Sequence, residues 1–470
     1  WREIAVWCLG GTLLYAIPHF GMRQGVLERP IEVVYFEEAL GFEGVRLDSE
    51  EEAFGQLRTF IGLPPGRVWL DDRYPLVHGP DPAAEPPPAV EDPPDIVLIL
   101  IESMRAECFD FIYPNAQGCE VPYLERLARE GVVFPRFIAN GFPSSEGFMA
   151  VTTSSWPHHR KRVIADYQQV RFDSLPERLA DMGYYTLAAE PNAGFDSVGP
   201  WYDRFFHDRI DLVDLGFRTS EKKLFELVRE RIEAHDEESP GQPLYLQIKT
   251  ENPHLPYGTP RDDGSRHLEG DSLLDHYRAT MSYVDEQIAS LLNWMETRPR
   301  GDNMVIVVTG DHANYLDQKD TTALPLNHTA WVGAWIHGPD RWIGPSRRID
   351  DNLSHVDLLP TVLALVGDHR PSASIGRNML GPGRAGAGTA VMVRPGGFRM
   401  DRKDRALIVD RKRPGVPIEY AAFPSEPTDV AQAAFGAEDL DRLWDSVMTF
   451  SFLIEQDRLW DQEFLAKPKP

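Results

Sequence analysis

The sequence predicts an α/β protein: a doubly wound, mostly parallel sheet flanked by helices, with a small C-terminal subdomain of a β-hairpin and a helix. Three observations predict it. Two continuous apolar runs, "IVLILIES" (Ile96 to Ser103) and "NMVIVVTGDH" (Asn303 to His312), end in charge. A strand buried on both faces of a parallel sheet reads this way. A helix–Gly–strand pattern recurs in "VPYLERLAREGVVF" and "LPERLADMGYYTLAAE". Strands and helices then alternate through the middle of the chain, the order that builds such sheets.

Taken in order, residues 1–80 mix apolar and acidic segments without a chemical motif. They are expected to form an N-terminal helical and linker region close to a membrane. The opening "WREIAVWCLGGTLLYAIPHFGM" is interrupted by Arg2, Glu3 and Pro18. Its clean apolar run falls short of the roughly 20 residues that span a bilayer. It reads as a buried or interfacial helix, or alternatively as the tail of a membrane anchor. Because the first residue is Trp1 rather than Met, a preceding segment is expected. Residues 81–95 form a proline-rich, semi-rigid linker within "HGPDPAAEPPPAVEDPPD". The main domain is expected over 96–394. Beyond the elements above it holds "LFELVRERIEA" as helix, "LYLQIKT" as strand, "YRATMSYVDEQIASLLNWM" as a long helix, "AWVGAWIHGP" as strand and "HVDLLPTVLALVG" as helix. Residues 395–470 change texture: "GGFRMDRKDRALIVDRK" reads as a short hairpin followed by loops, and "LDRLWDSVMTFSFLIEQDRLW" as a closing helix.

With 470 residues, 42% of them hydrophobic, the chain buries a large core. The formal net charge of -25 argues against nucleic acid as the main partner and against simple adsorption to anionic lipid. Of three cysteines, Cys8 stands apart, while Cys108 and Cys119 bracket a short loop. They form a disulfide outside the cytoplasm, or remain two buried thiols.

Ligands of such sheets bind at the carboxyl ends of the strands. Glu102, Thr250, Asp311 and His312 fall at or just past such ends. Two carboxylates and an imidazole converging there form a mixed oxygen and nitrogen site for one divalent ion, Mg2+, Mn2+ or Zn2+. "NGFPSSEGFMA" places Ser144 and Ser145 at the head of a helix. The plain reading is an N-cap serine. The same place is an anion site, and a metal bound there would lower the hydroxyl's pKa without a neighbouring base.

These residues resemble the alkaline phosphatase superfamily, within it the sulfatase-like branch of lipoteichoic acid synthases and other phosphoglycerol or phosphoethanolamine transferases. Four stretches carry the likeness in the family's order: "IVLILIESM", "NGFPSSEG", "VVTGDHANY" and "SHVDLLPTVLALVGD". The resemblance implies Glu102, Ser144, Asp311 and His312 as metal ligands, with Ser144 also the nucleophile and Ser145 its rival by a one-residue slip. It implies His254, in "KTENPHLPYG", as a substrate-binding or acid–base histidine. His328, in "LPLNHTAWVG", is expected to face the site or to be structural. His355 and Asp357 match the family too, and are read as fixing a helix start. Arg160, in "WPHHRKR", is either a contact for an anionic substrate or part of a solvated basic turn.

Two departures limit the reaction. The Cys or Ser followed by x-Pro-x-Arg of true sulfatases is absent around Ser144 and Ser145. Pro191, Asn192 and Ala193 stand where lipoteichoic acid synthases have a phosphate-gripping Trp-Asn-Arg. The resemblance therefore implies metal-dependent phosphoryl transfer or phosphodiester hydrolysis on an envelope lipid or glycan. The alternatives are a sulfatase-like ester hydrolase and a non-catalytic glycan- or lipid-binding relative. It also implies a membrane tether and a catalytic domain outside the cytoplasmic membrane, periplasmic or extracellular.

Overall fold

The structure is a computed structural model that describes residues 44–465 except 64, 81–89, 114–117, 195–197, 217–218, 262–264, 315–329, 382–387, 395–396, 403–404, 411–417, 422–434 and 436. The apolar opening segment, Cys8, most of the proline-rich linker and His328 lie outside the described residues.

Eight strands form the central sheet: β1 (Asp95–Ile101), β2 (Val132–Phe134), β3 (Tyr185–Glu190), β4 (Asp208–Asp211), β5 (Leu244–Lys249), β6 (Met304–Gly310), β7 (Ala334–His337) and β8 (Arg347–Arg348), in spatial order β8-β2-β7-β6-β1-β5-β3-β4. From β6 across to β4 every pairing is parallel. Strand β7 alone runs against its neighbours. Apolar patterning locates "AWVGAWIHGP" as a strand but carries no direction, since side chains alternate identically either way.

Strand β1 shows why the apolar runs are continuous. Ile96, Leu98 and Leu100 enter one buried cluster, and Val97, Ile99 and Ile101 enter the other. Successive side chains point to opposite faces, so a strand covered on both sides has no polar face to show. Helices α3 (Glu221–Glu238) and α4 (Leu273–Met295) cover the face of Val97, Ile99 and Ile101. Helices α2 (Ser144–Thr153) and α5 (Leu358–Val366) cover the other.

Two regions are more integrated than the sequence predicts. The C-terminal part is a four-stranded antiparallel sheet, β9 (Thr389–Arg394), β10 (Gly397–Arg402), β11 (Arg405–Asp410) and β12 (Ile418–Ala421), followed by α6 (Ala437–Glu455). It begins before residue 395, and its short last strand follows "RPGVP", which reads as loop. The N-terminal helix α1 (Glu50–Ile61) packs on α6: the Phe54 and Phe452 rings lie 6.4 Å apart, and Glu50 pairs with Arg458 at 2.6 Å.

A buried histidine locks this N-terminal segment to the core. His78 is 3% exposed; its Nε2 donates to the Ser374 carbonyl at 2.9 Å and its Nδ1 accepts from Arg67 at 3.0 Å. Burial, then Arg67, pushes its pKa down to about 4. The unfolded chain, with an ordinary imidazole near 6.5, therefore binds the proton first. Stability is lost as pH falls from 6.5 through 4, by about 3 kcal/mol. His78→Gln is expected to remove that loss. Asp357 and Glu190, raised to about 6 and about 8 by burial, titrate in the opposite sense but are common to both proteins. Urea unfolding at pH 4 and 6.5 measures the difference, and equal slopes for variant and wild type would refute it.

Candidate metal and nucleophile site

Sheet register sets the site. Ile101 of β1 lies opposite Gly310 of β6, so the next residues, Glu102 and Asp311, leave the sheet side by side. Leu100 lies opposite Lys249 of β5, and Ala189 of β3 opposite Ile248. One edge thus carries Asp311, Glu102, Lys249 and Glu190 in sequence.

Glu102, Asp311 and His312 bring a ligand atom each to within 4.8 Å of one another. Ser103, in a left-handed conformation at φ 53, makes this turn. Its N–H donates to Asp311 Oδ1 at 2.9 Å and its hydroxyl to Glu102 Oε1 at 2.7 Å. Strain of this kind, of order 1–3 kcal/mol, persists where surrounding structure over-determines it; here Tyr277 and Asn314 both donate to the Ser103 carbonyl at 3.0 Å. The Thr250 hydroxyl accepts the Glu102 N–H at 3.0 Å, fixing the backbone at the ligand.

Ser144 opens α2 and completes the group. Its Oγ lies 3.3 Å from Glu102 Oε2 and 3.2 Å from His312 Nε2. The serine is not the helix cap predicted above. Pro143 holds that position and no side chain caps the end, so Ser144 sits one residue inside and its hydroxyl faces the strand ends. Ser145 is 1% exposed, whereas Ser144 is half-buried. Gly147, one turn on, lets the helix approach: a Cβ there would come 2.4 Å from the Asp311 carbonyl oxygen.

The donor set fits a hard or borderline divalent cation. Asp311 Oδ2 is buried and has no hydrogen-bond partner. His312 Nδ1 faces the Ala313 carbonyl at 3.2 Å, which puts the proton on Nδ1 and turns the Nε2 lone pair inward. Two carboxylates and this lone pair converge in a dry place; Lys249 offsets the Glu102 charge, while the buried Asp311 carboxylate remains costly without a further cation. Burial alone would raise the Glu102 pKa, but the Lys249 ammonium, foremost, and the Ser103 hydroxyl hold it well below the usual range. Burial and the Glu102 charge push Asp311 up.

The sulfatase family model matches residues 94–368 of the 470. The chain belongs to the sulfatase family. Among curated relatives, lipoteichoic acid synthase 2 of Bacillus subtilis (strain 168) is 22% identical over 305 residues, 58% of this chain and 45% of that protein. The chain thus spans less than half the length of that relative. Among solved structures, a protein in the alkaline phosphatase superfamily from Vibrio parahaemolyticus shares the fold at TM-score 0.67 and 18% identity, covering 90% of this chain and 99% of that one. The lipoteichoic acid synthase LtaP from Listeria monocytogenes does so at TM-score 0.56 and 16% identity, covering 77% and 91%.

The remaining sulfatase-like residues sort by position. His254 lies exposed on the loop after β5, its Nδ1 2.9 Å from the Leu255 carbonyl. His355 and Asp357 are structural supports of the site. His355 Nε2 donates to the Gly310 carbonyl at 2.8 Å and Nδ1 accepts the Asn140 N–H at 3.4 Å, tying the β6 end to the turn that leads to Ser144. Asp357 closes a capping box with Ser354. Arg160 is outside the cluster of Glu102, Ser144, Asp311 and His312. Its turn is anchored on α6, with His158 Nε2 3.0 Å from Glu455 and the His159 N–H 3.1 Å from the Ser451 hydroxyl. Cys108 and Cys119 are buried free thiols that share a hydrogen bond.

Lys249 and Glu190 are the residues that sequence reasoning missed. Burial would lower the Lys249 pKa, but Glu102, Glu190 and Glu251 more than reverse it, so the ammonium keeps its charge. Arg394 was missed as well: its guanidinium lies 4.9 Å over the Phe142 ring, which meets the His312 ring edge-on at 4.7 Å. The one signal for Lys249 was a lysine interrupting the end of an otherwise buried strand.

Proposed function

We propose that this sulfatase-family chain transfers or hydrolyses a phosphoryl group of a phosphate-ester lipid or glycan through a covalent intermediate on Ser144. One observation carries the reading: the Ser144 hydroxyl meets Glu102 and His312 at 3.3 and 3.2 Å while Asp311 Oδ2 beside them lacks a partner. Glu102, Asp311, His312 and Ser144 would hold one divalent ion. Bound there, Mn2+, Mg2+ or Zn2+ would polarise a phosphoryl oxygen and stabilise the serine alkoxide.

Ser144 Oγ attacks phosphorus in line, forming the Oγ–P bond as the P–O bond to the leaving alcohol breaks. Its proton is lost to solvent, since the lone pairs of Glu102 and His312 would be committed to the ion, which would lower the hydroxyl's pKa. The N-terminal end of α2 favours the anionic group that results. His254, at the open side, protonates the leaving alkoxide and takes the proton from the water or alcohol that then displaces Ser144. Water gives a hydrolase; a lipid or glycan hydroxyl gives a transferase. Sulfate-ester hydrolysis is the second reading, favoured by family membership alone and opposed by the missing x-Pro-x-Arg context.

The test is to quench turnover of phosphate diester, phosphate monoester and sulfate ester substrates in Mn2+, then map peptides. A phosphorylated peptide on Ser144 is expected; turnover of sulfate esters with no phosphoserine would overturn the reading. His254→Ala is expected to lower kcat about 10²- to 10⁴-fold with KM little changed; an unchanged kcat would remove His254 from the mechanism. The working place we propose is the outer side of the cytoplasmic membrane, with a tether beyond the described residues. Among those residues no helix is long and apolar enough to cross a membrane.

A further inference from the structure

Next to the cluster that faces Ser144 lies a second set of charges that the reaction above does not use. The Lys249 ammonium is 2.9 Å from Glu102 Oε2, 3.4 Å from Glu251 Oε2 and 3.7 Å from Glu190 Oε1. Its side chain is 6% exposed, and those of Glu102, Glu190 and Glu251 are 0%, 2% and 18% exposed. Three carboxyl groups from the ends of three adjacent strands thus surround one cation beside Glu102. Glu102 is shared between the two sets. Its Oε2 meets both Lys249 and, at 3.3 Å, the Ser144 hydroxyl, while its Oε1 is fixed by Ser103. Below the ammonium, 5.6 Å from its nitrogen, lies the ring of Phe148, one helical turn from Ser144.

We propose that the Lys249 ammonium is a built-in second cation of this site, bridging Glu102 to Glu190 and Glu251 and aiming the Glu102 carboxylate at the place where Ser144 and the divalent ion meet. An ordinary buried ion pair joins one acid to one base and satisfies both. Here one base serves three acids. Glu190 Oε2 remains buried without a hydrogen-bond partner, so the ammonium does not exhaust the oxygens around it. An ammonium offers three donors; a divalent ion takes six or more oxygens. The pocket behind Glu102 therefore has the ligands of a metal site and is filled by the protein's own charge. Lys249 is a positioning residue: it acts on the reaction through Glu102.

The proposal rests on the metal reading of Glu102, Asp311 and His312, and metal content separates the two. Purified protein equilibrated with Mn2+ and desalted is expected to hold one equivalent in wild type. Lys249→Ala opens the pocket and leaves its acids unpaired, and is expected to hold two. Adding Glu190→Gln to Lys249→Ala is expected to bring the count back to one. Lys249→Asp, which supplies a ligand of its own, is the second variant. It too is expected to hold two, and its melting temperature is expected to rise with Mn2+ by more than that of wild type. A purely structural lysine predicts one equivalent throughout. One equivalent in both single variants overturns the proposal. So does failure of both to fold in the presence of Mn2+, because the ion is expected to replace the ammonium. Wild type that binds no ion would instead overturn the metal reading itself.

Discussion

Ser144→Ala is expected to abolish turnover, by at least about a thousandfold in kcat, while leaving the fold intact. The two halves of that expectation have separate grounds. The hydroxyl is the group that reaches Glu102 and His312 together, so its loss removes the proposed nucleophile. It caps nothing, because Pro143 occupies the N-cap and no side chain bonds the free end of α2, so alanine at that position is expected to shift stability by within about 0.5 kcal/mol. Ser145→Ala is the control. Ser145 is 1% exposed and turned into the packing, and its loss is expected to move kcat only a few-fold. Initial rates and thermal melts of the two variants decide it. An active Ser144→Ala beside a dead Ser145→Ala would mean that the hydroxyls have exchanged roles.

Gly147→Ala is expected to be nearly as damaging from a position that touches no substrate. A Cβ there would meet the Asp311 carbonyl oxygen at 2.4 Å and its carbon at 3.1 Å. Both are backbone atoms of the residue proposed as a metal ligand, so no flexible side chain can give way. Either α2 withdraws with Ser144 or the β6 end withdraws with Asp311, by roughly 1 Å; a misplacement of that size costs on the order of a hundredfold in rate. Overpacking of this kind also costs about 1–3 kcal/mol. The expected pattern is a hundredfold fall in kcat/KM, weaker Mn2+ binding and a folded protein. Wild-type Mn2+ affinity in the variant would show that the helix and strand are not coupled in this way.

The glycine illustrates what the sequence makes legible and what it does not. "NGFPSSEG" and "VVTGDH" mark a helix head and a strand end as separate local signals, and both strand-end carboxylates were readable because each follows an uninterrupted apolar run of a strand covered on both faces. That Gly147 and Asp311 touch is a fact of packing, which no local pattern carries. The position of Ser144 was misjudged by one residue, since a Pro-Ser pair leaves either residue able to begin the helix. Lys249 was hidden for a different reason. Its partners Glu102 and Glu190 are brought to it only by the spatial order β1-β5-β3, and hydrophobic periodicity specifies each strand but not its neighbours. His355 was readable in role and not in detail: its bonds to Gly310 and Asn140 join segments far apart in the chain.

The turn that leads to Ser144 has one more tie. The Asn140 side-chain amide donates to the Val391 carbonyl at 2.6 Å and the Asn140 backbone carbonyl accepts the Val393 N–H at 2.8 Å, so strand β9 clasps the residue that begins the turn. The two ends of that clasp are 251 residues apart. At translation speeds of roughly 5–20 residues per second, about 12 to 50 seconds separate the synthesis of Asn140 from that of its clasp. During that interval the serine exists but its turn is unfastened. If Ser144 is the nucleophile as proposed, activity is expected to be dated by the end of the chain, not by the appearance of its reactive residue.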